Sequence, residues 1–497
     1  MDFLDPKKKR SRKIRLTIGH TLMVLLVFIA TYILVFRAYG YDFDRKTGEV
    51  IQNGLVYIDS APDGAKISIN GEQHKSDTNT RVSLPEGNYK IELSKDGYRN
   101  WSRSFDLEGG EVLRYTYPAL FPSDFNRVEM RSFDNNIDFS TQSPNRRWIL
   151  LNQKNNLAAM TLYDLEERQD EIPTASDLNI PPNLLTPAEG DHVLKLTEWS
   201  TDNRHVLIRH NWTGGQEFVM LDIEDPTESY NLNKTLNQNP SSVALFDKNF
   251  EKLFLYDAPS KTLSRADIKS KSVEVYATDV ISYKPHGDDT MLMSKVNGAD
   301  KTKTNIIMRQ NDKDYEIREI PADENIPLDI ARYDGQWYTA IGVQSEQKTY
   351  IYKNPLDLIN NKNDIKSAGA IVLRSSGPIS QISFSQNARF IMANSGQHFN
   401  VYDAELDKRY SYKINQQFDP ARLPVWMDGH RIVANSAGKV FVFDFDGINA
   451  QTLVDADPSA PIMFDRDYTE LYSLGASAGS PGKYGIFSTQ LRLEADR

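Results

Sequence analysis

The sequence predicts a mainly β protein that is carried on one N-terminal membrane-spanning helix. Three observations predict it. An apolar run from Leu16 to Phe36 contains no charged side chain and follows a strongly basic segment. Behind it, short stretches alternate apolar with polar residues, as half-buried strands do. Farther on, units made of a turn and a run of β formers recur about every 40 to 57 residues, the size of a four-stranded repeat.

The apolar run is long enough to cross a bilayer. About 20 apolar residues at a rise of about 1.5 Å each cover the roughly 30 Å hydrocarbon core. Lys and Arg residues concentrate before the run, between Lys7 and Arg15, and such a flank stays in the cytoplasm. We therefore predict a cytoplasmic basic tail over 1–15, a transmembrane helix over 16–36, and an extracytoplasmic position for the rest of the chain.

Other readings of this N-terminus fit less well. A cleaved signal peptide has a shorter apolar core and a small-x-small cleavage site, whereas this run ends in Leu34-Val35-Phe36-Arg37-Ala38-Tyr39. The segment Pro6-Lys7-Lys8-Lys9-Arg10 also matches nuclear localisation or nucleic-acid patches, but a helix of insertion length follows it directly. A signalling role is disfavoured because the tail is too short for an output domain.

Composition excludes several classes of function. The formal net charge is −10 with the basic tail included, which argues against nucleic acid or anionic lipid as the main partner. The chain contains 0 cysteines, so it has no disulfide, no thiolate nucleophile and no zinc-thiolate site. Stability outside the membrane must therefore come from packing, which suits a bacterial cell surface.

The segment 37–54 is predicted to be a stalk, and a small β domain follows over 55–117. Leu55–Ser60 and Ala65–Asn70 alternate apolar with polar residues. The intervening Ala61-Pro62-Asp63-Gly64 supplies the Pro and Gly of a tight turn. The other predicted strands are Thr80–Leu84, Asn88–Leu93, Trp101–Phe105 and Val112–Tyr117.

Two half-motifs in this domain resemble the PEGA domain, a small β-sandwich-like module of bacterial and archaeal surface proteins. The first is Ser60-Ala61-Pro62-Asp63-Gly64-Ala65 with Ile67-Ser68-Ile69-Asn70-Gly71, and the second is Leu84-Pro85-Glu86-Gly87-Asn88-Tyr89-Lys90-Ile91 with Gly97-Tyr98. Where the family usually has Gly-x-Thr-Pro, this chain has Ser76-Asp77-Thr78-Asn79. The resemblance implies surface attachment or interaction and carries over no catalytic residue. The expected core residues are Ile67, Ile69, Tyr89, Ile91 and Tyr98.

The remaining segment, 118–497, repeats one unit loosely. Each copy is an apolar or aromatic residue, a polar turn and a run of β formers. The eight copies are Gln142–Leu151, Trp199–Ile208, Phe246–Leu255, Tyr283–Leu292, Tyr333–Tyr338, Phe384–Met392, Trp426–Val433 and Phe464–Tyr472. A further strand often follows, as at Thr161–Leu165, Phe218–Ile223, Thr349–Tyr352, Phe399–Asp403 and Val440–Asp444.

This repeat predicts a β-propeller over 118–497. Each blade packs an apolar face on the next blade, and closing the ring removes exposed edges. The repeat resembles the propellers of the TolB and WD40-like type, in which a Ser-Pro-Asp-Gly-like turn joins two strands. Eight blades are preferred and seven are the alternative. A pair of β-sandwiches is a second alternative architecture.

One catalytic motif is present, but its context argues against activity. Gly475-Ala476-Ser477-Ala478-Gly479 matches the Gly-x-Ser-x-Gly nucleophile elbow. The sequence after Gly479 is too short for an α/β-hydrolase domain, and the last histidine, His430, precedes the serine instead of following it. We therefore expect a loop of small residues.

The sequence gives equally little indication of a metal site or of a site that acts on carbohydrate. The segment from Asp444 to Asn449 lacks the distal acidic ligand of a calcium loop, so a strand-ending turn is expected. His205 and His210 would point to opposite faces of a strand, so ordinary surface histidines are expected instead of zinc ligands. No pair among the 68 acidic residues is singled out as a glycosidase pair, and no phosphate loop or dinucleotide fingerprint is found. The tryptophans assigned to core packing in preference to a sugar-binding surface are Trp148, Trp199, Trp337 and Trp426.

These observations predict a non-enzymatic protein. We expect a single-pass membrane protein that presents a PEGA-like domain and a propeller to an envelope protein or a glycan. No catalytic residue, cofactor or metal ligand is predicted, and the ligand-binding residues stay open. The alternative is an extracytoplasmic hydrolase or lyase with its site in the propeller channel, which clustered ionisable side chains at one channel mouth would favour.

Overall fold

In the computed structural model, the described residues are 6–38, 40–43, 50–154, 156–169, 172–187, 190–360, 369–419, 422–477, 479 and 482–496. They form two compact units. The first unit comprises residues 1–124 together with 492–496, and the second comprises 125–491. The chain is mainly β, as the sequence predicts, with one long N-terminal helix.

The long helix is α1 (Pro6–Ala38). Its apolar part is fully exposed in the chain, and by length and composition the helix can cross a membrane. The hydroxyls of Thr17, Thr21 and Thr31 each donate to the carbonyl four residues earlier, which satisfies these polar groups without water. The helix begins before the predicted 16–36 because the basic segment has good helix formers and no break. Residues 1–5 of the predicted tail lie outside the described part.

The first unit contains two four-stranded sheets. Its strands are β1 (Tyr41–Phe43), β2 (Val50–Ile58), β3 (Lys66–Ile69), β4 (Glu72–Gln73), β5 (Thr80–Pro85), β6 (Gly87–Ser94), β7 (Trp101–Leu107) and β8 (Val112–Tyr115). One sheet has the order β1-β2-β5, with β8 pairing parallel to β2, and the other has the order β4-β3-β6-β7.

Both sheets contribute to one apolar core. Val56 and Ile58 of β2 are completely buried, and so are Ile67 of β3 and Ile91 of β6. Trp101 of β7 is also buried, and it lies 6.3 Å from the ring of Tyr115, which belongs to the other sheet. The five predicted core residues all lie in this cluster, with Ile69 and Tyr89 at its margin.

The first unit differs from the predicted domain limits at both ends. Part of the predicted stalk, 37–54, is β structure, because Val50 to Gln52 pair with β1 and Asn53 pairs with β5. Residues 39 and 44–49 of that segment lie outside the described part. At the other end, residues 492–496 join this unit although they were assigned to 118–497.

The C-terminal segment is held in the first unit by side chains. The Asp496 carboxylate accepts hydrogen bonds from Lys95 Nζ at 2.5 Å and from the Tyr98 hydroxyl at 2.9 Å. The Tyr98 hydroxyl in turn accepts from the backbone N–H of Leu493 at 2.8 Å. Burial alone would raise the pKa of Asp496, but the bonds from Lys95 and Tyr98 lower it, so the carboxylate is ionised near neutral pH.

The second unit opens with β9 (Arg127–Phe133), and its described strands form eight four-stranded sheets. Sheet 1 contains β10 (Ile137–Gln142), β11 (Trp148–Gln153), β12 (Ala159–Gln169) and β13 (Ile172–Asn179). Sheet 2 contains β14 (His192–Trp199), β15 (His205–Trp212), β16 (Gly215–Asp222) and β17 (Tyr230–Asn231). Sheet 3 contains β18 (Ser242–Phe246), β19 (Asn249–Asp257), β20 (Thr262–Asp267) and β21 (Ser272–Ala277). Sheet 4 contains β22 (Val280–His286), β23 (Thr290–Val296), β24 (Lys303–Gln310) and β25 (Lys313–Pro321).

The other four sheets follow the same order. Sheet 5 contains β26 (Leu328–Tyr333), β27 (Gln336–Val343), β28 (Lys348–Lys353) and β29 (Ile371–Arg374). Sheet 6 contains β30 (Gln381–Phe384), β31 (Phe390–Ser395), β32 (His398–Asp403) and β33 (Lys408–Lys413). Sheet 7 contains β34 (Val425–Trp426), β35 (Arg431–Ser436), β36 (Lys439–Asp444) and β37 (Gln451–Asp455). Sheet 8 contains β38 (Met463–Phe464), β39 (Glu470–Ala476) and β40 (Tyr484–Gln490), and β9 is its fourth strand. The short helices are α2 (Leu232–Leu236), α3 (Pro355–Asn360) and the 3₁₀ turns Pro226–Glu228 and Glu494–Asp496.

Consecutive sheets are joined to one another, and sheet 8 is joined to sheet 1. In each case a hydrogen bond or ion pair links the two sheets or, between sheets 7 and 8, links sheet 7 to the loop that leads into sheet 8. In order around the ring these are Trp199 to Thr141 at 2.8 Å, Leu245 to Glu198 at 2.8 Å, Tyr256 to Val280 at 2.9 Å, Lys284 to Asp329 at 3.2 Å, Phe384 to Asp329 at 3.1 Å, Trp426 to Ser383 at 3.3 Å, Asn435 to Ala460 at 2.9 Å and Gln142 to Phe464 at 2.7 Å. This closed series of four-stranded sheets is consistent with a β-propeller.

Burial within the sheets follows from packing on both faces. β31 is buried over its whole length, and β36 is buried from Val440 onward. Strands covered on both sides are expected to be continuously apolar, whereas the outermost β33 alternates exposed with half-buried residues. The core clusters combine neighbouring sheets, as Leu150 of sheet 1 does with Val206 of sheet 2. The eight repeat units of the sequence each fall on the hairpin between the first and second strands of one sheet.

Three sheets share an Arg–Asp pair that the repeat analysis did not anticipate. The arginine immediately precedes the second strand, and the aspartate faces the first residue of that strand from the third strand. In sheet 6, Arg389 Nε and one terminal nitrogen donate to the two Asp403 oxygens at 2.9 and 2.6 Å. The same bidentate geometry joins Arg147 to Asp164 and Arg204 to Asp222. Such a pair fixes the hairpin to the third strand.

The Arg–Asp pair of sheet 6 is expected to stabilise the second unit strongly. Because Asp403 is completely buried, Asp403→Asn removes the buried counter-charge of Arg389 and should lower the free energy of unfolding by about 3 kcal/mol. Glu405→Gln is the matched control, since Glu405 contacts the same arginine but its side chain is 43% exposed, and it should cost under about 1 kcal/mol. Chemical denaturation of the full chain measures both values. Equal losses in the two variants would contradict this account.

Candidate functional site

The turns between first and second strands gather at one end of the ring, which we call the turn end. The backbone N–H of Asn145 in sheet 1 donates to Asn203 Oδ1 in sheet 2 at 2.9 Å. The N–H of Thr201 donates to the Lys248 carbonyl of sheet 3 at 3.1 Å. A Cβ at position 429 would lie 2.6 Å from Asn387 Nδ2, so glycine is needed where sheets 6 and 7 meet. These contacts tie neighbouring turns together.

Arg146 and Tyr468 link sheets across the turn end. The Arg146 guanidinium lies 4.0 Å from the centre of the Tyr468 ring, and one of its nitrogens donates to the Met427 carbonyl at 2.9 Å. The Tyr468 hydroxyl is within hydrogen-bond distance of the same carbonyl, at 2.9 Å, and of Gln386 Oε1, at 3.0 Å. Sheets 1, 6, 7 and 8 are therefore joined by a cation–π contact and its hydrogen bonds.

A cavity of about 670 Å³ lies among the first strands of sheets 2 to 5 and the turns that follow them. Its two lysines are each paired with a carboxylate. Lys248 forms an ion pair with Glu198, and Lys284 lies 3.2 Å from Asp329, which closes the wall toward sheet 5. Burial raises the pKa of Tyr283 to about 12. The cavity thus presents two paired lysines, the Asp247 carboxylate and a neutral phenol.

His286 is the only histidine among the described residues that line this cavity. Burial lowers the pKa of its imidazole, so the ring is neutral at pH 7. The ring stands edge-on to Trp337, with the ring centres 5.0 Å apart. This environment suits hydrogen bonding to a polar ligand. Within the described ranges, no group of three His, Asp or Glu side chains is arranged to hold a metal ion.

His205 and His210 have different side-chain partners, and the expectation of ordinary surface histidines is wrong. His205 is 9% exposed, its Nδ1 lies 2.6 Å from Asp202, and its ring stacks on Phe250 at 3.7 Å. His210 is completely buried, and its Nδ1 is bonded to the buried Glu217 carboxylate at 2.9 Å. Hydrogen-bonded carboxylates are what make these buried positions tolerable for a polar ring.

The serine and calcium-like motifs take structural roles. The Ser477 hydroxyl donates to Glu129 Oε2 at 3.0 Å, and its neighbour Ala478 lies outside the described residues. Asp444 ends β36, and its carbonyl accepts from the Gly447 N–H at 2.8 Å, which is the strand-ending turn that the sequence predicts.

The four tryptophans of the repeat units lie within or between sheets. Trp199 is 5% exposed and Trp426 stacks on Phe390, while Trp148 and Trp337 are half-buried against neighbouring cores. They therefore act in packing, as predicted. A fifth tryptophan, Trp212, lies outside the repeat units and lines a cleft in sheet 2. Its position beside Gly214 and Gly215 at a hairpin tip was the sequence signal that could have marked it.

The family model of the PEGA domain matches residues 53–118. This match confirms the resemblance drawn from the two half-motifs and covers strands β3 to β8 and most of β2. It describes this domain only, because it spans well under half of the chain. A comparison with curated proteins gave no match.

Several solved structures are similar to this chain at low identity. The computationally designed Ika8 protein is 10% identical with a TM-score of 0.41, and the alignment covers 72% of this chain and 98% of that chain. An oligogalacturonate lyase in complex with manganese is 10% identical with a TM-score of 0.39, covering 75% and 99%. Apo AztD from Citrobacter koseri is 10% identical with a TM-score of 0.38, covering 79% and 95%. These similarities are too low to indicate an activity for this chain.

His430 at the turn end should make the ring acid-sensitive. Burial lowers the pKa of its imidazole from 6.5 to about 4, so folding requires the neutral ring. Its stabilising contribution is complete above pH 6.5 and is lost as the pH falls toward 4. His430→Phe should therefore remove about one proton from the pH dependence of the unfolding free energy in this window. Denaturation at several pH values measures it. His398→Gln is the control, and an unchanged slope in His430→Phe would refute the assignment.

Proposed function

We propose that this chain is a single-pass membrane protein of the bacterial envelope that holds a PEGA domain and an eight-bladed propeller outside the cytoplasm. The observation that carries the proposal is the order of the parts. A fully exposed apolar helix with a basic N-terminal flank comes first, and the PEGA domain follows directly. Lys and Arg before the helix favour a cytoplasmic N-terminus.

The proposed role is binding to an envelope protein or a glycan, with no catalysis. Support comes from the cavity among sheets 2 to 5, whose lysines Lys248 and Lys284 are already paired with Glu198 and Asp329. These ion pairs hold the wall in place, and they make the two lysines poor candidates for general acid–base catalysis, which needs a group that is free to exchange a proton with substrate. The alternative, a hydrolase or lyase in the channel, is less well supported for that reason.

The eight-blade proposal rests on the eight four-stranded sheets of the described residues and on the strand pairing that completes sheet 8. The outer strand of this last sheet comes from the beginning of the unit. In a ring this exchange of strands locks the ends of the chain together, and every sheet then has a neighbour on both faces.

The absence of cysteine from the sequence allows a clean test of location and orientation. Ser11→Cys lies in the basic flank and Ser272→Cys lies on the exposed outer strand of sheet 3. On intact cells, a membrane-impermeant maleimide should label Ser272→Cys and leave Ser11→Cys unlabelled. Permeabilised cells should show labelling of both. The protein should also stay in the membrane after an alkaline carbonate wash.

Each alternative gives a distinct outcome in the same experiment. Labelling of Ser11→Cys on intact cells would invert the proposed orientation. Release of the protein by the carbonate wash, with loss of the N-terminal segment, would indicate a cleaved signal peptide. Either result would overturn the anchored arrangement.

A further inference from the structure

A polar cleft of about 620 Å³ lies beside α2 in the second unit, and we call it the sheet 2 cleft. The tip of the β15–β16 hairpin, the helix α2 and the loop leading to β18 form its walls. Its lining combines one indole, one carboxylate and one ammonium group with four amide side chains, two small hydroxyls and backbone. The lining residues that carry the argument are Trp212, Gly215, Glu217, Asn233, Asn237 and Asn239.

The indole of Trp212 forms a fixed apolar wall. A Cβ at Gly215 would lie 2.6 Å from Trp212 Cζ2, so the ring packs directly on the glycine backbone. The imidazole of His210 lies 5.0 Å from it, centre to centre. These contacts already immobilise one part of the ring, so little conformational entropy is lost when a ligand binds. The half-buried remainder of the ring faces the cleft.

A buried carboxylate fixes the base of the cleft. The side chain of Glu217 is 4% exposed and accepts from the Thr186 N–H at 2.6 Å and from the Thr186 hydroxyl at 2.5 Å. Asn231 donates to it at 2.7 Å and His210 at 2.9 Å. Burial alone would raise the pKa of Glu217, but these bonds lower it to about 2. The site is therefore preorganised, with its charge already satisfied.

The network extends from the base to a second histidine. His210 Nδ1 is hydrogen-bonded to Glu217, and His192 Nδ1 lies 2.8 Å from the other ring nitrogen of His210, Nε2. The two imidazoles are stacked with centres 5.0 Å apart. This chain of bonds fixes the orientation of His210 and, through it, that of the indole.

Neutral amides supply the polar contacts at the rim. Asn233 Nδ2 donates to Asn239 Oδ1 at 3.2 Å, which leaves the Asn239 amide nitrogen pointing away from that bond. Asn237 follows α2 as its C-cap with φ 50°, and it lines the cleft. Lys234 Nζ donates to the Asn183 carbonyl at 3.1 Å. The rim therefore offers uncharged donors and acceptors in place of a concentration of positive charge.

We propose that the sheet 2 cleft binds a neutral pyranose unit of an envelope glycan, with the apolar face of the sugar on Trp212 and its hydroxyls on Asn237 and Asn239. An indole beside several amides matches a ligand that has one apolar face and many hydroxyls. A phosphate or carboxylate ligand is disfavoured by the ionised Glu217 at the base. This inference rests on the proposed function and names one partner class for it.

Titration of the full-length protein with neutral oligosaccharides tests the proposal. The probes are maltohexaose, cellohexaose and chitohexaose, and the detergent is an amine oxide, which has no sugar headgroup. Isothermal calorimetry should show binding of at least one probe. Trp212→Ala should weaken it at least tenfold, whereas Trp212→Phe, which keeps an aromatic ring, should weaken it less. Asn237→Gly keeps the positive φ and removes the amide, and it should also weaken binding.

Matched variants separate binding from folding. Asn311→Gly lies at the exposed β24–β25 hairpin with φ 51°, so it is the control for Asn237→Gly and should leave binding unchanged. Thermal unfolding of each variant shows that the fold is kept. Failure of all three probes to bind would overturn the cleft proposal.

The outcomes for the cleft and for the proposed function are distinguishable. Binding that Trp212→Ala leaves unchanged would place the glycan elsewhere on the protein, so the cleft assignment would fail while the proposed function stands. Reversed maleimide labelling would overturn the proposed function whatever the titration gives.

Discussion

Six residue pairs between β9 and β40 join the start of the second unit to its last sheet. Every other sheet of the unit is made from consecutive strands, so this pairing alone connects segments more than 350 positions apart. Without it, sheet 8 would have three strands and an exposed edge at β40, and sheets 1 and 8 would be joined only by side chains such as Gln142. Unpaired edges expose backbone donors and acceptors, so the pairing also protects the unit from association through its edges. Because the two paired strands are far apart in the sequence, this pairing is expected to form slowly during folding.

The residues that follow β40 make contacts in the first unit. After β40 the chain continues through Leu491 into residues 492–496, which belong to the first unit. Lys95 and Tyr98 of the PEGA domain bind Asp496 there. The β9–β40 pairing thus completes the last sheet of the second unit, and the Asp496 contacts hold the residues that follow it in the first unit.

The sequence predicted local features of this architecture well, because they depend on neighbours in the chain. Each repeat unit, such as Phe384–Met392, is a hairpin whose turn residues and β formers lie within ten positions. The PEGA half-motifs were recognisable for the same reason, since their glycines and aromatics stand at fixed offsets. The mainly β class and the apolar helix followed from composition and pattern.

Contacts between residues that are far apart in the chain could not be predicted from the sequence. Nothing beside Arg127–Phe133 marks it as the outer strand of the last sheet, and nothing beside Asp496 marks Lys95 as its partner. The candidate binding residues were missed for a related reason: Thr186, Trp212 and Glu217 come from different elements and share no local motif. His210 was taken for a surface residue because its partner, Glu217, lies on the next strand and only the register makes them neighbours.

Closure of the ring is the central claim, and hydrogen–deuterium exchange of the full-length protein tests it most directly. If β9 completes sheet 8, its bonded amides should exchange as slowly as those of β39 and β40, through global unfolding of the unit. Exchange of β9 at the rate of an exposed loop, while β39 and β40 stay protected, would show an open ring and contradict the account.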